Sequence, residues 1–147
     1  MAQKILVAED SQDIRFMISR SLKRAGFEVL EAQNPEEALR LYEQNKDMAG
    51  AIVDGTLLER YDGIKLVEEL RRKGFEGTIV GHSTEADTER RFKEAGADLF
   101  KEKTGESPFS LPAIMSFQIK LRNNLKAADS RQEAALSSKP TGPSEVG

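Results

Sequence analysis

Five short aliphatic runs, each separated from the next by a helix-forming stretch, constrain this chain more than any other feature. They are Ile5-Leu6-Val7-Ala8, Val29-Leu30, Ala51-Ile52-Val53, Thr78-Ile79-Val80 and Ala97-Asp98-Leu99-Phe100. Each is too short for a helix and ends near polar or breaking residues, as buried parallel strands do. The stretches between them carry helical signals. Ser11 can cap a helix from about Gln12 to Ala25, with Ile14, Phe16, Met17, Ile18 and Leu22 on a broad apolar face and Gly26 as its stop. Asn34-Pro35-Glu36-Glu37 reads as N-cap, N1 proline and acidic first turn, and the helix runs to about Lys46. Asp62-Gly63 leads into a third helix with Ile64, Leu66, Val67 and Leu70, ended by Gly74. A polar fourth helix spans roughly Ala86 to Ala95, before Gly96. Pro108 and Pro112 frame the start of a fifth, with Ile114, Phe117, Leu121 and Leu125 at helical spacing.

Strands alternating with helices imply right-handed βαβ units and a parallel sheet covered on both faces. Five such units fit an α/β, doubly wound, flavodoxin-like sheet in the order 2-1-3-4-5. In that order strands 1 and 3 are neighbours at the switch point, so Glu9, Asp10 and Asp54 are expected to meet at one rim. From about Ala127 the large apolar residues nearly vanish, which predicts one folded domain over 1–126 and a disordered tail over 127–147.

Composition removes several function classes. There is no cysteine, so disulfides and cysteine metal sites are excluded. Net charge is −3, giving no global basic field for nucleic acid or acidic membranes. No apolar run is long enough to span a membrane, and the first residues lack the apolar stretch of a secretion signal, so the cytoplasm is the expected location.

Three carboxylates at one rim repel each other and favour binding a cation. An all-oxygen donor set suits Mg²⁺. The fourth strand delivers Ser83 and Thr84 to the same rim, and Lys101-Glu102-Lys103 follows the fifth. A nucleophilic carboxylate, a cation site, a hydroxyl and an ammonium together suit phosphoryl transfer onto an Asp.

The ordered set resembles the receiver domain of bacterial two-component response regulators. The resemblance covers about Lys4 to Leu125. It rests on Glu9-Asp10, Asp13-Ile14-Arg15, Asp54, Asp62-Gly63, the hydroxyl ending strand 4, and Gly96-Ala97-Asp98 before Lys103. It implies that Asp54 accepts a phosphoryl group from a histidine kinase, a phosphotransfer protein or a small phosphodonor. Asp10 and Asp54 would bind Mg²⁺ directly, Glu9 through water, and Thr56 through its backbone carbonyl. Lys103 would pair with the phosphoryl oxygens, Ser83 would be the switch hydroxyl, and Phe100 the aromatic that moves with it. The output expected is protein contact through the face of helix 4, strand 5 and helix 5, as a stand-alone regulator. The chain departs from the family pattern at Leu58, where a Pro is usual, and at Thr84, where Ala or Gly is usual. Thr104 stands in place of a Pro after the Lys, and the span from Asp54 to Asp62 is one residue longer. Either Ser83 or Thr84 can serve as the switch.

Two other readings compete. Taken singly, Glu9-Asp10 and Ser83 cap helices, Lys103 is a surface lysine, and Phe100 and His82 are packed strand residues. Asp54-Gly55-Thr56 also resembles the nucleophile loop of haloacid-dehalogenase-type phosphatases, but the nucleophile position there is Ile52, which cannot attack phosphorus. A module that keeps the receiver fold and works without phosphorylation is the alternative function.

Overall fold

The structure, a computed structural model, describes residues 2–103 and 111–137. Five parallel strands form one sheet: β1 (Lys4–Ala8), β2 (Glu28–Ala32), β3 (Gly50–Asp54), β4 (Thr78–Ser83) and β5 (Leu99–Glu102). Their order is β2-β1-β3-β4-β5, the expected one. The register places Ala8 beside Val53 and Asp54 beside His82, so the carboxyl ends of β1, β3 and β4 form one rim.

Helices α1 (Gln12–Arg24) and α5 (Leu111–Ser137) cover one face, where Ile5, Val7, Ile52 and Val80 pack against Ile18, Leu22, Met115 and Ile119. Helices α2 (Pro35–Gln44), α3 (Asp62–Arg72) and α4 (Glu89–Ala95) cover the other, where Leu6, Ala51, Val53 and Ile79 meet Ala38, Leu66, Leu70 and Phe92. Alternate residues of each strand thus feed two cores, which is why the strands read as unbroken apolar runs.

The caps follow the sequence signals. Ser11 Oγ accepts from Ile14 N at 3.4 Å, and Asn34 Oδ1 accepts from Glu37 N at 2.8 Å. Glu37 Oε1 in turn accepts from Gln33 N at 2.8 Å, holding the chain at the entry of α2.

Several expectations are corrected. The fifth strand begins at Leu99 and not at Ala97. The Asp98 carboxylate is used instead to accept from Ile79 N at 2.8 Å, while Arg71 and Arg122 bind it at 3.1 and 2.7 Å. The fourth helix opens with a 3₁₀ turn, Ala86–Thr88, before α4 proper. On α1, Phe16 and Met17 point to solvent, and the inward face is Ile14, Ile18 and Leu22. On α5 the buried positions are Leu111, Met115 and Ile119, while Phe117, Leu121 and Leu125 are exposed. Met115 lies against bare Gly50, where a Cβ would approach its Sδ to 2.7 Å, so this close approach selects the face.

The disordered tail expected from Ala127 is corrected in its first part, because α5 continues to Ser137. No Gly or Pro interrupts residues 113–137, and Ala, Leu, Lys, Arg, Gln and Glu are strong helix formers. The rest of that tail, 138–147, lies outside the described residues, as do Thr104 and Pro108. Among the described residues no helix is long and apolar enough to cross a membrane.

Candidate functional site

The rim is built from three strand ends. Asp54 closes β3 and is 5% exposed, so its carboxylate is held in the mouth of the sheet and not in bulk water. Gly63 makes this possible: a Cβ there would collide with the Asp54 carbonyl, and Gly63 N instead donates to Gly55 O at 3.1 Å. Thr56 N lies 3.3 Å from Asp54 Oδ1 and donates to it, while the Thr56 side chain faces solvent.

Glu9 follows β1 and is 2% exposed. Its backbone is fixed on both sides, Glu9 N donating to Ala32 O at 3.0 Å and Arg15 Nη1 donating to Glu9 O at 2.8 Å. Asp10 beside it is exposed. One carboxylate oxygen from each of Glu9, Asp10 and Asp54 lies within 4.8 Å of the others. The three acids named from the sequence therefore do converge.

Lys103 reaches into this cluster from the end of β5. Its Nζ is 2.9 Å from Glu9 Oε1 and 3.1 Å from Asp54 Oδ1. Lys103 N donates to Ser83 O at 2.7 Å, which ties its backbone to β4. The ammonium sits near Glu9 Oε1 without an aligned hydrogen bond, so that buried oxygen has a charge partner but no donor directed at it. Burial pushes the Glu9 carboxyl up to about 7; the Lys103 contact opposes this, and Asp54 adds to it. Burial alone would lower Lys103, but Glu9 and Asp54 outweigh it and raise the ammonium above its usual range. A buried under-coordinated oxygen in an all-carboxylate group is the donor set a hard cation such as Mg²⁺ completes.

Ser83 and Thr84 separate clearly. Ser83 is buried, and a Cβ on Gly55 would lie 3.1 Å from its Oγ, so the hydroxyl adjoins the residue after Asp54. It accepts from Glu85 N at 3.1 Å. Thr84 points to solvent. Phe100 is half-buried on β5, its ring centroid 5.8 Å from that of Phe92 on α4.

Sequence reasoning missed a clasp beside the site. Tyr61 has φ 72° and ψ 5°, the one left-handed non-glycine among the described residues. The guanidiniums of Arg60, at 4.9 Å, and of Arg91 on α4, at 4.3 Å, both lie over its ring. Arg60 also pairs with Glu85 at 3.3 Å. The loop after β3 is thereby tied to the loop after β4 and to α4. A tyrosine in a glycine-favouring conformation has no signal in a residue pattern. His82, which the sequence offers as a proton shuttle, a pH-sensitive neighbour of the site or a packed or partly exposed strand residue, is buried in the strand: it is 6% exposed, with Nδ1 buried and without a hydrogen-bond partner.

Comparison with known proteins agrees with this geometry. Residues 5–109 match the family described as the response regulator receiver domain. The chain is 31% identical over 134 residues to the alkaline phosphatase synthesis transcriptional regulatory protein PhoP of Bacillus subtilis, covering 90% of this chain and 54% of that protein. It is 28% identical over 138 residues to the response regulator MprA of Mycobacterium bovis, covering 92% and 57%. The chain thus spans about half the length of these curated relatives. Among solved structures, a CheY-like receiver domain protein from Methanospirillum hungatei superposes with a TM-score of 0.74 at 20% identity, over 84% of this chain and 98% of that one. NtrX from Brucella abortus superposes with a TM-score of 0.79 at 24% identity, over 88% and 29%. At these identities the structural likeness speaks for the fold, and the family match carries the assignment: the chain belongs to the response regulator receiver domain family.

Proposed function

We propose that the chain is a phosphoacceptor of two-component signalling, taking a phosphoryl group on Asp54 and passing the signal on by protein contact. The observation that carries this reading is the position of Asp54, a buried carboxylate at a strand end within 3.1 Å of the Lys103 ammonium and grouped with two further acids.

The donor is a phosphorylated histidine of a kinase or phosphotransfer protein, or a small acyl phosphate. An Asp54 carboxylate oxygen attacks phosphorus, the new O–P bond forms, and the bond from phosphorus to the donor nitrogen or oxygen breaks with its electron pair. Asp10 and Asp54 would hold Mg²⁺ directly, with the Thr56 carbonyl as a third ligand and Glu9 acting through water. When bound, the ion supplies positive charge to offset that on the phosphoryl oxygens. Lys103, already beside Asp54, changes partner from the bare carboxylate to a phosphoryl oxygen. Ser83 is the favoured switch hydroxyl, supported by its burial beside Gly55, while Thr84 faces outward. For Ser83 Oγ to turn toward a phosphoryl group it must release Glu85 N, which it now accepts from. Phe100 then follows into the space beside Phe92.

The reading extends to the bacterial cytoplasm and to signalling without contact of this domain with nucleic acid, the signal leaving through α4, β5 and α5. Relatives named as transcriptional regulators are about twice as long as the matched region, so this part rests on the charge balance and on the exposed face of the chain. Incubation with acetyl phosphate and Mg²⁺, followed by intact-mass measurement, tests the central claim. One added phosphoryl group is expected in the wild type and none in Asp54→Asn. A folded protein that gains no mass would instead favour the interaction module that works without phosphorylation.

A further inference from the structure

Of the three acids at the rim, Asp10 is held least. Glu9 is buried and meets Lys103 and Ser11 N, and Asp54 is buried and meets Lys103 and Thr56 N. Asp10 is exposed, and among the described residues no hydrogen bond or ion pair reaches its carboxylate. Its backbone, by contrast, is fixed. The peptide plane before it carries Glu9 O, which accepts from Arg15 Nη1 at 2.8 Å. The plane after it carries Ser11 N, which donates to Glu9 Oε2 at 3.3 Å. Ser11 O accepts from Arg15 N at 2.9 Å. A peptide unit is planar, so holding the planes on both sides sets φ and ψ of the residue between them, and with them the direction of its Cα–Cβ bond. Arg15 therefore brackets Asp10, binding the carbonyls of both its neighbours.

The guanidinium is itself aimed. Arg15 Nε lies 3.3 Å from Glu31 Oε1 on β2, and the side chain is largely buried. Its planar fork presents Nε to β2 and Nη1 to the end of β1, two directions that a single ammonium on a flexible stem does not hold together. Glu9 N donates to Ala32 O at 3.0 Å, so the same run of chain is joined to β2 twice. We propose that Arg15 is a positioning residue for the cation site. It sets the backbone of Asp10, so that a carboxylate with no other support is already directed to the acid cluster, with little left to order when a cation binds. The inference rests on the reading of Asp10 as a direct ligand, given above. In this role Arg15 touches neither the cation nor the phosphoryl group. The sign of the effect separates positioning from charge. A guanidinium near the rim repels a second cation, so if Arg15 contributed charge alone, removing it would tighten Mg²⁺ binding. Because it positions Asp10, removing it weakens binding.

Arg15→Met keeps the apolar stem and removes both the charge and the donors, whereas Arg15→Lys keeps the charge. Titration calorimetry of the full chain with Mg²⁺ should show a dissociation constant raised about tenfold in Arg15→Met and still raised severalfold in Arg15→Lys. Phosphorylation by acetyl phosphate should need correspondingly more Mg²⁺ for half its maximal rate, with the maximal rate little changed. Without metal, amide exchange should quicken at residues 9–11 in Arg15→Met while β3 and α3 keep their protection, which also shows that the variant is folded. Should Arg15→Met lose its fold, Arg15→Lys is judged by the same two readings. An affinity unchanged or tightened in the folded variant would overturn the proposal. So would exchange at residues 9–11 that matches the wild type. A wild type that binds no Mg²⁺ would overturn the reading of the site itself, and this role with it.

Discussion

His82 and Asp54 stand in register on neighbouring parallel strands, so both side chains leave the same face of the sheet at the rim of the site. Burial, with the nearby charges of Lys103 and Lys101, lowers His82 to about 4, while burial raises Glu9 to about 7. The two groups act on stability with opposite sign. Between pH 4 and 6.5 the unfolded chain takes up the His82 proton and the folded one does not, so stability falls as pH falls. Between pH 4.5 and 7 the folded chain holds the Glu9 proton and the unfolded one does not, so stability falls as pH rises. Each effect amounts to at most about 3 kcal/mol. Urea denaturation without Mg²⁺ should show them largely cancelling between pH 4.5 and 6.5. His82→Leu should leave a stability that declines toward pH 7, and Glu9→Gln one that improves toward pH 6.5. Mg²⁺ should remove the Glu9 effect, because a bound cation holds the carboxylate ionised. Parallel curves for wild type and both variants would refute the assignment.

Tyr61 joins the two loops beside the site through Arg60, Arg91 and Glu85. Helix α4 is short, and Phe92 is its one fully buried anchor. Contacts from Arg91 to Tyr61 should therefore carry a large share of its local stability. Replacing Tyr61 by Gly relieves the left-handed backbone, a gain of about 1 kcal/mol, and deletes both cation–ring contacts. Hydrogen exchange should quicken through residues 85–95 in Tyr61→Gly while α3 keeps its protection. Beryllofluoride, by drawing Ser83 Oγ away from Glu85 N, should alter exchange in the same segment. Unchanged exchange in the variant would show that Tyr61 is a local turn residue and no clasp.

Asp98 joins three parts of the fold at the pole opposite the site. It accepts from Ile79 N and binds Arg71 and Arg122, linking the start of β4 to α3 and α5. Removing the carboxylate strands a buried N–H and leaves two guanidiniums side by side. Asp98→Ala should cost about 3 kcal/mol in chemical denaturation, with phosphorylation of Asp54 retained in the surviving folded protein. Asp98→Asn, which can still accept from Ile79 N, should lose less. A cost below about 0.5 kcal/mol for Asp98→Ala would mean that the two arginines find other partners.

Much of this was legible in the chain because parallel strands buried on both faces must be apolar throughout, and their ends must carry the chemistry. Glu9, Asp10, Asp54 and Lys103 meet because strand order alone brings their positions to one rim. What was not legible depends on which of two alternatives tertiary contact selects. Helix α5 carries two apolar stripes, and only the fit of Met115 against Gly50 decides which is buried. Ser83 and Thr84 are chemically alike, and only strand alternation at the end of β4 turns one inward. Composition predicted a disordered tail from Ala127, yet a helix without breakers continues as helix even where little covers it.

The lifetime of an aspartyl phosphate at Asp54 follows from the two threonines at its mouth. Hydrolysis requires a water in line with the leaving carboxylate, held by a nearby amide or acid. Thr56 offers neither, and its side chain faces solvent while its N–H is directed to Asp54. Thr84 follows the buried Ser83 at the exposed rim, and its β-branch makes it stiffer and bulkier than Ala or Gly. Both residues hinder a positioned water, and lost positioning lowers a rate by up to about 10²-fold. The phosphorylated protein should therefore persist for minutes or longer after donor removal, on the scale of a slow conformational step and not of rapid switching. Thr84→Ala should shorten this severalfold by opening the approach, and Thr56→Asn should do the same by supplying an amide. Since Thr84 does not reach the site as a hydroxyl, Thr84→Ala should leave the extent of phosphorylation unchanged, whereas Ser83→Ala should weaken the α4 response to beryllofluoride. Decay followed on a phosphate-affinity gel with Mg²⁺ present separates these outcomes. Loss within seconds in the wild type, unaltered in Thr84→Ala, would show that water reaches the phosphoryl group by another route.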